Sequence, residues 1–559
     1  MPTDTKSIDL ERLEAVAAMF EPWAQAGEPG LALVVQQGGR TVLARGWGLA
    51  NVEFGVPITE RTRFDIASMT KQFVAAVCLY LERDGKLSLD DPVARWLPDM
   101  AGTMPRDTLR DLLTMRTGLL ECGHLSWLAT GEARDARRTA KTIHASAARL
   151  GHRNFPPGTE DCYSNVNFHL AQLVAEAAGG ADMAALLRRY ILDPLGLELT
   201  EYVPGSPRTV VPHRATAYEP AGEGRWRHAV WVVENSGACG IVSCAQDMAR
   251  WQRALLSDEL AWLRRALCQD RPLPDGLSSH YRLGMRVGQH RGLWFFGHAG
   301  GVPGFKSNML CFPEEELAFV FLANRDDVNS NFLASRIADQ LLKPRIAAAR
   351  ASVGETRPPP ADELERLLGL YLCPEADHAV EVTIDQGLLR AEDLHFEQRP
   401  DGSWTVIDHA QRCDLSFGED ARTLLVRHNN GPARLYQRVR AEERPALPLE
   451  AYAGRYAAEG LPGFQSVDVV DGHLRLSVGS PCHVDELWWL VPIGGDRFAI
   501  SDTQGGVSDF ILSFQRDAKG LVVATVMSGY RLYGLRLERR TEEPRSANVV
   551  GGAASPRPT

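Results

Sequence analysis

Apolar residues recur with two different periods along this chain, and the change from one to the other divides it. Between Ile8 and Ala26 they fall three and four positions apart, which predicts an amphipathic helix. Two strand-like runs follow, Leu31 to Gln36 and Thr41 to Arg45, around the turn residues Gly38 and Gly39. Helical spacing returns in Phe73, Val74, Val77, Cys78 and Leu81 and stops at Asp84-Gly85. Asp107 to Met115 leads into Thr117-Gly118-Leu119, and residues 120 to 200 read as mostly helical. Within them Pro156-Pro157-Gly158 opens a loop that ends at Tyr163-Ser164-Asn165. Short β-rich runs then predict strands at Trp231 to Glu234, Gly240 to Ser243, Arg282 to Val287, Leu293 to Phe296, Ser307 to Phe312 and Leu317 to Leu322. A last helix, Asn331 to Leu342, is expected to pack on them. Strand, helices, strand is the order of an α+β domain built on an antiparallel sheet.

The pattern changes at Val353 to Pro360, where three consecutive prolines mark a linker. Beyond it, period-two runs alternate with turns such as Asp385-Gln386-Gly387, Asp401-Gly402, Asp471-Gly472 and Lys519-Gly520. A weak repeat runs through this half. Gly369-Leu370-Tyr371 with Val380-Glu381-Val382 reappears as Gly454-Arg455-Tyr456 with Val467-Asp468-Val469, an offset of roughly 85 residues and room for one small antiparallel barrel per copy. The division is therefore a first domain at 1–345, a linker at 346–361, β-barrel domains at 362–443 and 444–540, and a disordered tail at 541–559.

Composition narrows the partners. With 61 basic and 71 acidic residues the net charge is -10, so the chain lacks the basic field that nucleic acid or an anionic membrane surface attracts. A small or peptide-like substrate is expected. The first ten residues lack the apolar run of a signal peptide and no apolar stretch is long enough to span a bilayer, which points to the cytoplasm. Ten cysteines are scattered without a Cys-x-x-Cys pair, so free thiols are expected, and Cys482-His483 has no ligand-spaced partner to make a metal site.

The candidate chemistry begins where the second helix begins, at Ser68-Met69-Thr70-Lys71. Residues three apart share a helix face, which puts the Lys71 ammonium beside the Ser68 hydroxyl at a helix N-terminus that favours negative charge. A serine nucleophile served by a lysine base needs that arrangement. Tyr163 and Asn165 add a phenol able to act as acid or base beside a cation, and an amide able to hold Lys71 and a substrate carbonyl. In Phe296-Gly297-His298-Ala299-Gly300-Gly301, small residues end a strand. A substrate backbone can lie against that edge, and the Gly301 N–H can join that of Ser68 as an oxyanion hole. Each motif alone has a bland reading: a solvated helix turn, a structural tyrosine, a histidine in a glycine turn.

Together, Ser68-x-x-Lys71, Tyr163-x-Asn165 and His298-x-Gly300 resemble the serine β-lactamase and penicillin-binding-protein superfamily on its class C side, over roughly residues 10 to 345. The resemblance implies a mixed lobe and a helical lobe flanking a cleft, and an acyl-enzyme mechanism with no cofactor. His298 stands where most members have lysine, a substitution shared by D-aminopeptidases and some D,D-peptidases, and the chain resembles the D-aminopeptidase group over its whole length. That group implies two C-terminal barrels, a homodimer, and a γ-loop from the last barrel that reaches the cleft. Here the loop falls at Gly479 to Leu487, with Asp485, or its neighbour Glu486, as the acid that holds a substrate ammonium. The reading is an aminopeptidase that releases N-terminal D-residues, with Ser68 attacking and Lys71 or Tyr163 taking its proton. An esterase, β-lactamase or D,D-carboxypeptidase on the same domain is the rival enzyme, and a non-catalytic ligand sensor the rival of another class.

Overall fold

The computed structural model describes residues 8–121, 139–206, 209–231, 233–276, 278–351, 361–392, 394–399, 401–407, 413–428, 433–440, 444–458, 464–480, 483–501, 510–529 and 531–540; the side chains of 348–351, 361 and 478–487 lie outside that description. Six antiparallel strands form the sheet of the first domain: β1 (Leu31–Gln37), β2 (Arg40–Trp47), β3 (Arg286–His290), β4 (Leu293–Val302), β5 (Phe305–Phe312) and β6 (Leu317–Ala323). Their order is β3-β4-β5-β6-β1-β2, with Leu31 opposite Ala323, so the first strand is held by the last.

Strands β1 and β6 are apolar on both faces, and their period of two sends alternate residues into two cores. Ala32, Val34, Ala318, Val320 and Leu322 face one core; Leu31, Leu33, Val35, Leu317, Phe319 and Phe321 face the other. Helices α1 (Leu10–Ala18) and α5 (Ser330–Leu341) cover the second core through Val16, Ile337 and Leu341. The first core holds α2 (Thr70–Arg83), α3 (Asn165–Gly179) and α4 (Ala245–Leu256) through Phe73, Phe168 and Trp251. No single helix among the described residues is long and apolar enough to cross a membrane.

Several expectations are corrected. The helix expected over 8–26 breaks into Leu10–Ala18 and Glu21–Ala26, because Phe20 turns in against Trp47 and Pro22 supports only a helix start. Among the described residues of 231–234 there is no strand; the hairpin nearby is Tyr218–Gly222 with Arg225–His228. Helix α4, not foreseen between the strands, buries Met248, Trp251 and Leu255 on one face. A three-stranded sheet joins Arg63–Asp65, Ile241–Cys244 and Glu201–Tyr202 beside α2. The stretch expected as linker begins inside a helix, Lys343–Ala351.

The β half forms two closed eight-stranded barrels, from Gly369–Cys373 to Arg434–Arg438 and from Gly454–Ala457 to Leu532–Arg540. The repeat is real, with a register two residues away from the one the sequence offered. Gly369 pairs with Val382 and Gly454 with Val467, so Val382 rather than Val380 is the counterpart of Val467. Each copy is pinned alike: the Tyr371 hydroxyl donates to Leu367 O and the Tyr456 hydroxyl to Tyr452 O. The stretch expected as the γ-loop includes the ends of two paired strands, His473–Ser480 and His483–Gly494, and its residues 481 and 482 lie outside the described residues. Val478 faces Glu486 and Gly479 faces Val484, which leaves Asp485 as the extra residue of a β-bulge.

Candidate active site

Ser68 sits in a single 3-10 turn, Ala67–Met69, immediately ahead of α2. Two contacts and one strained dihedral shape that turn. The Asp65 carboxylate accepts from Ala67 N at 2.8 Å, Ala67 takes a left-handed φ of 48°, and the Ser307 hydroxyl donates to Ile66 O at 3.0 Å. Burial pushes Asp65 up to about 6. Strand β4 crosses so closely that a Cβ on Gly300 would stand 2.2 Å from Ile66 O, which only glycine avoids. From Thr62 to Leu79 every residue is buried except Ser68, so the fold presents one hydroxyl to the cleft.

Lys71 is 0% exposed, and its Nζ lies within hydrogen-bonding distance of three oxygens: Ser68 Oγ at 2.9 Å, Asn165 Oδ1 at 2.7 Å and Ala238 O at 2.8 Å. Asn165 is the first residue of α3, and Glu121 fixes its amide. The Asn165 backbone N–H and Nδ2 each donate to a Glu121 oxygen at 2.6 Å, which turns Oδ1 toward Lys71. A carboxylate at a helix N-terminus is also favoured by the helix dipole. Lys71 stands 4.9 Å from the Tyr163 ring centroid, and that ring packs edge-on against Tyr281 at 5.6 Å.

His298 lies on β4 at 1% exposure, 6.3 Å from the Tyr163 ring. Its Nδ1 donates to Ala299 O at 2.6 Å, so Nε2 accepts from the Tyr281 hydroxyl at 3.1 Å. Burial first, then Arg286 and Lys71, holds the ring well below the usual histidine range, and burial raises the Tyr281 phenol well above its own. The pair is therefore a neutral imidazole and a neutral phenol at neutral pH. Gly301 follows on β4, exposed, with only the Lys306 side chain near its Cβ position. Because β3 pairs with β4 only as far as Gly297, the β4 edge from His298 onward faces no strand among those described. An extended substrate can add itself there.

The structure thus brings Ser68, Lys71, Tyr163, Asn165 and His298 together and sets Gly301 beside them on β4. The side chain of Asp485 lies outside the described residues. Sequence reasoning missed Glu121, Ala238, Tyr281, Arg286 and Arg531. Arg531, from the second barrel, places its guanidinium 4.5 Å from the Tyr163 ring centroid, and Arg286 lies at 5.7 Å. None of the five belongs to a spaced motif; each reaches the site through the fold.

A serine whose hydroxyl meets a buried lysine one helical turn on, beside an open strand edge, defines a serine hydrolase of the Ser-x-x-Lys class. Residues 16–342 match the Beta-lactamase family, and the chain belongs to it. It is similar to a D-aminopeptidase of Cereibacter sphaeroides, 27% identical over 563 residues, 98% of this chain and 100% of that one. It is also similar to a D-aminopeptidase of Brucella anthropi, 25% identical over 528 residues, 91% of this chain and 95% of that one. Among solved structures, the octameric penicillin-binding protein homologue from Pyrococcus abyssi shares the fold: TM-score 0.54, 19% identity, 77% of this chain and 100% of that chain.

Proposed function

We propose that this protein is a D-aminopeptidase, releasing N-terminal D-residues from peptides, amides or esters through an acyl-enzyme. Ser68 Oγ attacks the carbonyl carbon while Lys71 or Tyr163 removes its proton. The N–H groups of Ser68 and Gly301 receive the oxyanion, and the same proton passes to the leaving amine as the carbon–nitrogen bond breaks. Water then attacks the ester on Ser68, releasing the D-amino acid and restoring the hydroxyl. The observation that carries this reading is Lys71, buried and bound at once to Ser68, Asn165 and Ala238. The D-aminopeptidases similar over nearly the whole length support the substrate class. Asp485, at its bulge, or Glu486 beside it is assigned the substrate ammonium. The reading also carries a cytoplasmic location, tested by cell fractionation, and a homodimer, tested by light scattering.

The test is hydrolysis of D- against L-alaninamide, with a chromogenic cephalosporin and a p-nitrophenyl ester alongside. D-Alaninamide turned over far faster than the L-form is expected. Mass spectrometry with a slow ester should find the adduct on Ser68, and Ser68→Ala should lose at least about a thousandfold in rate. An active Ser68→Ala, or cleavage confined to the cephalosporin, would sink the proposal.

A further inference from the structure

The hydrolytic chemistry needs only the first domain, yet the second barrel lays a residue on its proton carrier. Strands Val522–Gly529 and Leu532–Arg540 form a hairpin that closes with Gly529 opposite Leu532. At its tip Arg531 adopts a φ of 60°, a left-handed conformation uncommon for a long side chain. Such an outlier persists where its surroundings hold it. Here the holder is the loop that carries Tyr163.

That loop grips the hairpin at two points. Asn154 Nδ2 donates to Arg531 O at 3.0 Å, and Asn154 Oδ1 accepts from Tyr533 N at 2.9 Å. His152 Nε2 adds a bond to Tyr533 O at 3.0 Å. At the far end of the loop, Cys162, the residue before Tyr163, shares a side-chain hydrogen bond with Tyr533. The loop is in turn anchored below, by Asn154 N to Gly118 O at 2.8 Å and Cys162 N to Met115 O at 3.0 Å. Tyr163 thus emerges from a segment clamped between the first domain and the barrel, with the Arg531 guanidinium closer to its ring, at 4.5 Å, than Lys71 at 4.9 Å. A guanidinium over an aromatic face is attracted by the ring and restricts its tilt. Proton transfer to a leaving group is sensitive to that tilt, because a small misplacement of the hydroxyl lengthens the path.

We propose that the end of this hairpin, residues 531–533 of the second barrel, belongs to the catalytic apparatus, with Arg531 as a positioning residue that holds the Tyr163 ring for proton transfer and Asn154 as its latch. Arg531 acts through Tyr163 and touches no reacting atom. The proposal rests on Tyr163 carrying the proton, as in the reading above.

The experiment measures kcat and KM on D-alaninamide for Arg531→Gln, Arg531→Lys and Asn154→Ala, each in the natural chain and combined with Tyr163→Phe. Arg531→Gln should lower kcat about tenfold with KM within about twofold, Arg531→Lys should regain most of the loss, and Asn154→Ala should repeat it. With Tyr163→Phe already present, neither Arg531→Gln nor Asn154→Ala should cost more, since the group they position is gone. A full, additive loss in that background, or a loss shared equally by kcat and KM, overturns the inference in favour of a structural role. A crippled Tyr163→Phe with Arg531→Gln at natural kcat overturns the inference alone. A fully active Tyr163→Phe overturns the reading beneath it as well.

Discussion

Lys71 meets three acceptors placed around a point charge, an arrangement that a planar guanidinium cannot reproduce. Lys71→Arg also keeps a proton that the mechanism has to move, so activity on D-alanine p-nitroanilide should fall at least about a thousandfold while the fold survives by circular dichroism. Glu121 is the less obvious residue. It takes both N–H donors of Asn165, and Glu121→Gln brings an amide NH2 against one of them. The Asn165 side chain then loses the orientation that presents Oδ1 to Lys71, and kcat should drop about tenfold to a hundredfold, the range of a charge-assisted hydrogen bond. Retention of full kcat in Glu121→Gln would show that Asn165 needs no such guide. Ser68 and Lys71 were legible in the sequence because one turn of helix joins them; Glu121, Tyr281 and Arg531 were not, because only tertiary structure brings them near.

At the scale of elements, most strands of the sheet were readable from their period and the glycine turns between them, but the one expected at Arg282 to Val287 lies at Arg286–His290. Helix α4 was not, since its apolar residues Met248, Trp251 and Leu255 lie in a stretch whose neighbours on both sides are strands. The barrel repeat shows a different limit: valines recur every second residue, so the pattern fixes a face but not a register. The glycine pairing, Gly369 with Val382 and Gly454 with Val467, supplies the register. Around Asp485 the described backbone is a pair of strands in which Asp485 is the extra residue of a bulge. With Asp485 assigned the substrate ammonium, Asp485→Asn should weaken free-amine substrates about tenfold to a hundredfold and leave N-acetylated ones untouched. The ratio of D-alaninamide to its N-acetyl form is the measurement, made separately for Glu486→Gln. An unchanged ratio in both variants would move amine recognition elsewhere.

Across the whole molecule, two buried groups give opposing pH dependences. Asp65 is raised from 3.8 to about 6 by burial, so the folded state binds its proton more tightly than the unfolded chain. Stability from this group is full below about pH 4 and declines by about 3 kcal/mol as pH rises through 6. His169 is lowered from 6.5 to about 4, by burial first and then by His144, so its contribution is full above 6.5 and is lost by a similar amount as pH falls through 4. The two slopes nearly cancel between pH 4 and 6. Asp65→Asn should unmask a stability that falls with acid, and His169→Leu one that falls with base, both read by denaturant midpoints across that interval. Parallel profiles for both variants and the natural chain would refute the assignment.

The pairing of the first strand with the last also sets an order on biosynthesis. Leu31 to Gln37 cannot be paired on its β6 side until Ala323 has left the ribosome. At roughly 5 to 20 residues per second, the intervening stretch of about 290 residues takes on the order of 15 to 60 s to make. For that time an apolar run, Leu31 to Val35, waits with its β6 edge unpaired. Nascent chains arrested before Leu317 should be cleaved by protease within residues 31 to 47, and chains arrested well past Ala323 should resist, so this sheet is finished by its own C-terminal strands rather than grown outward from its N-terminus.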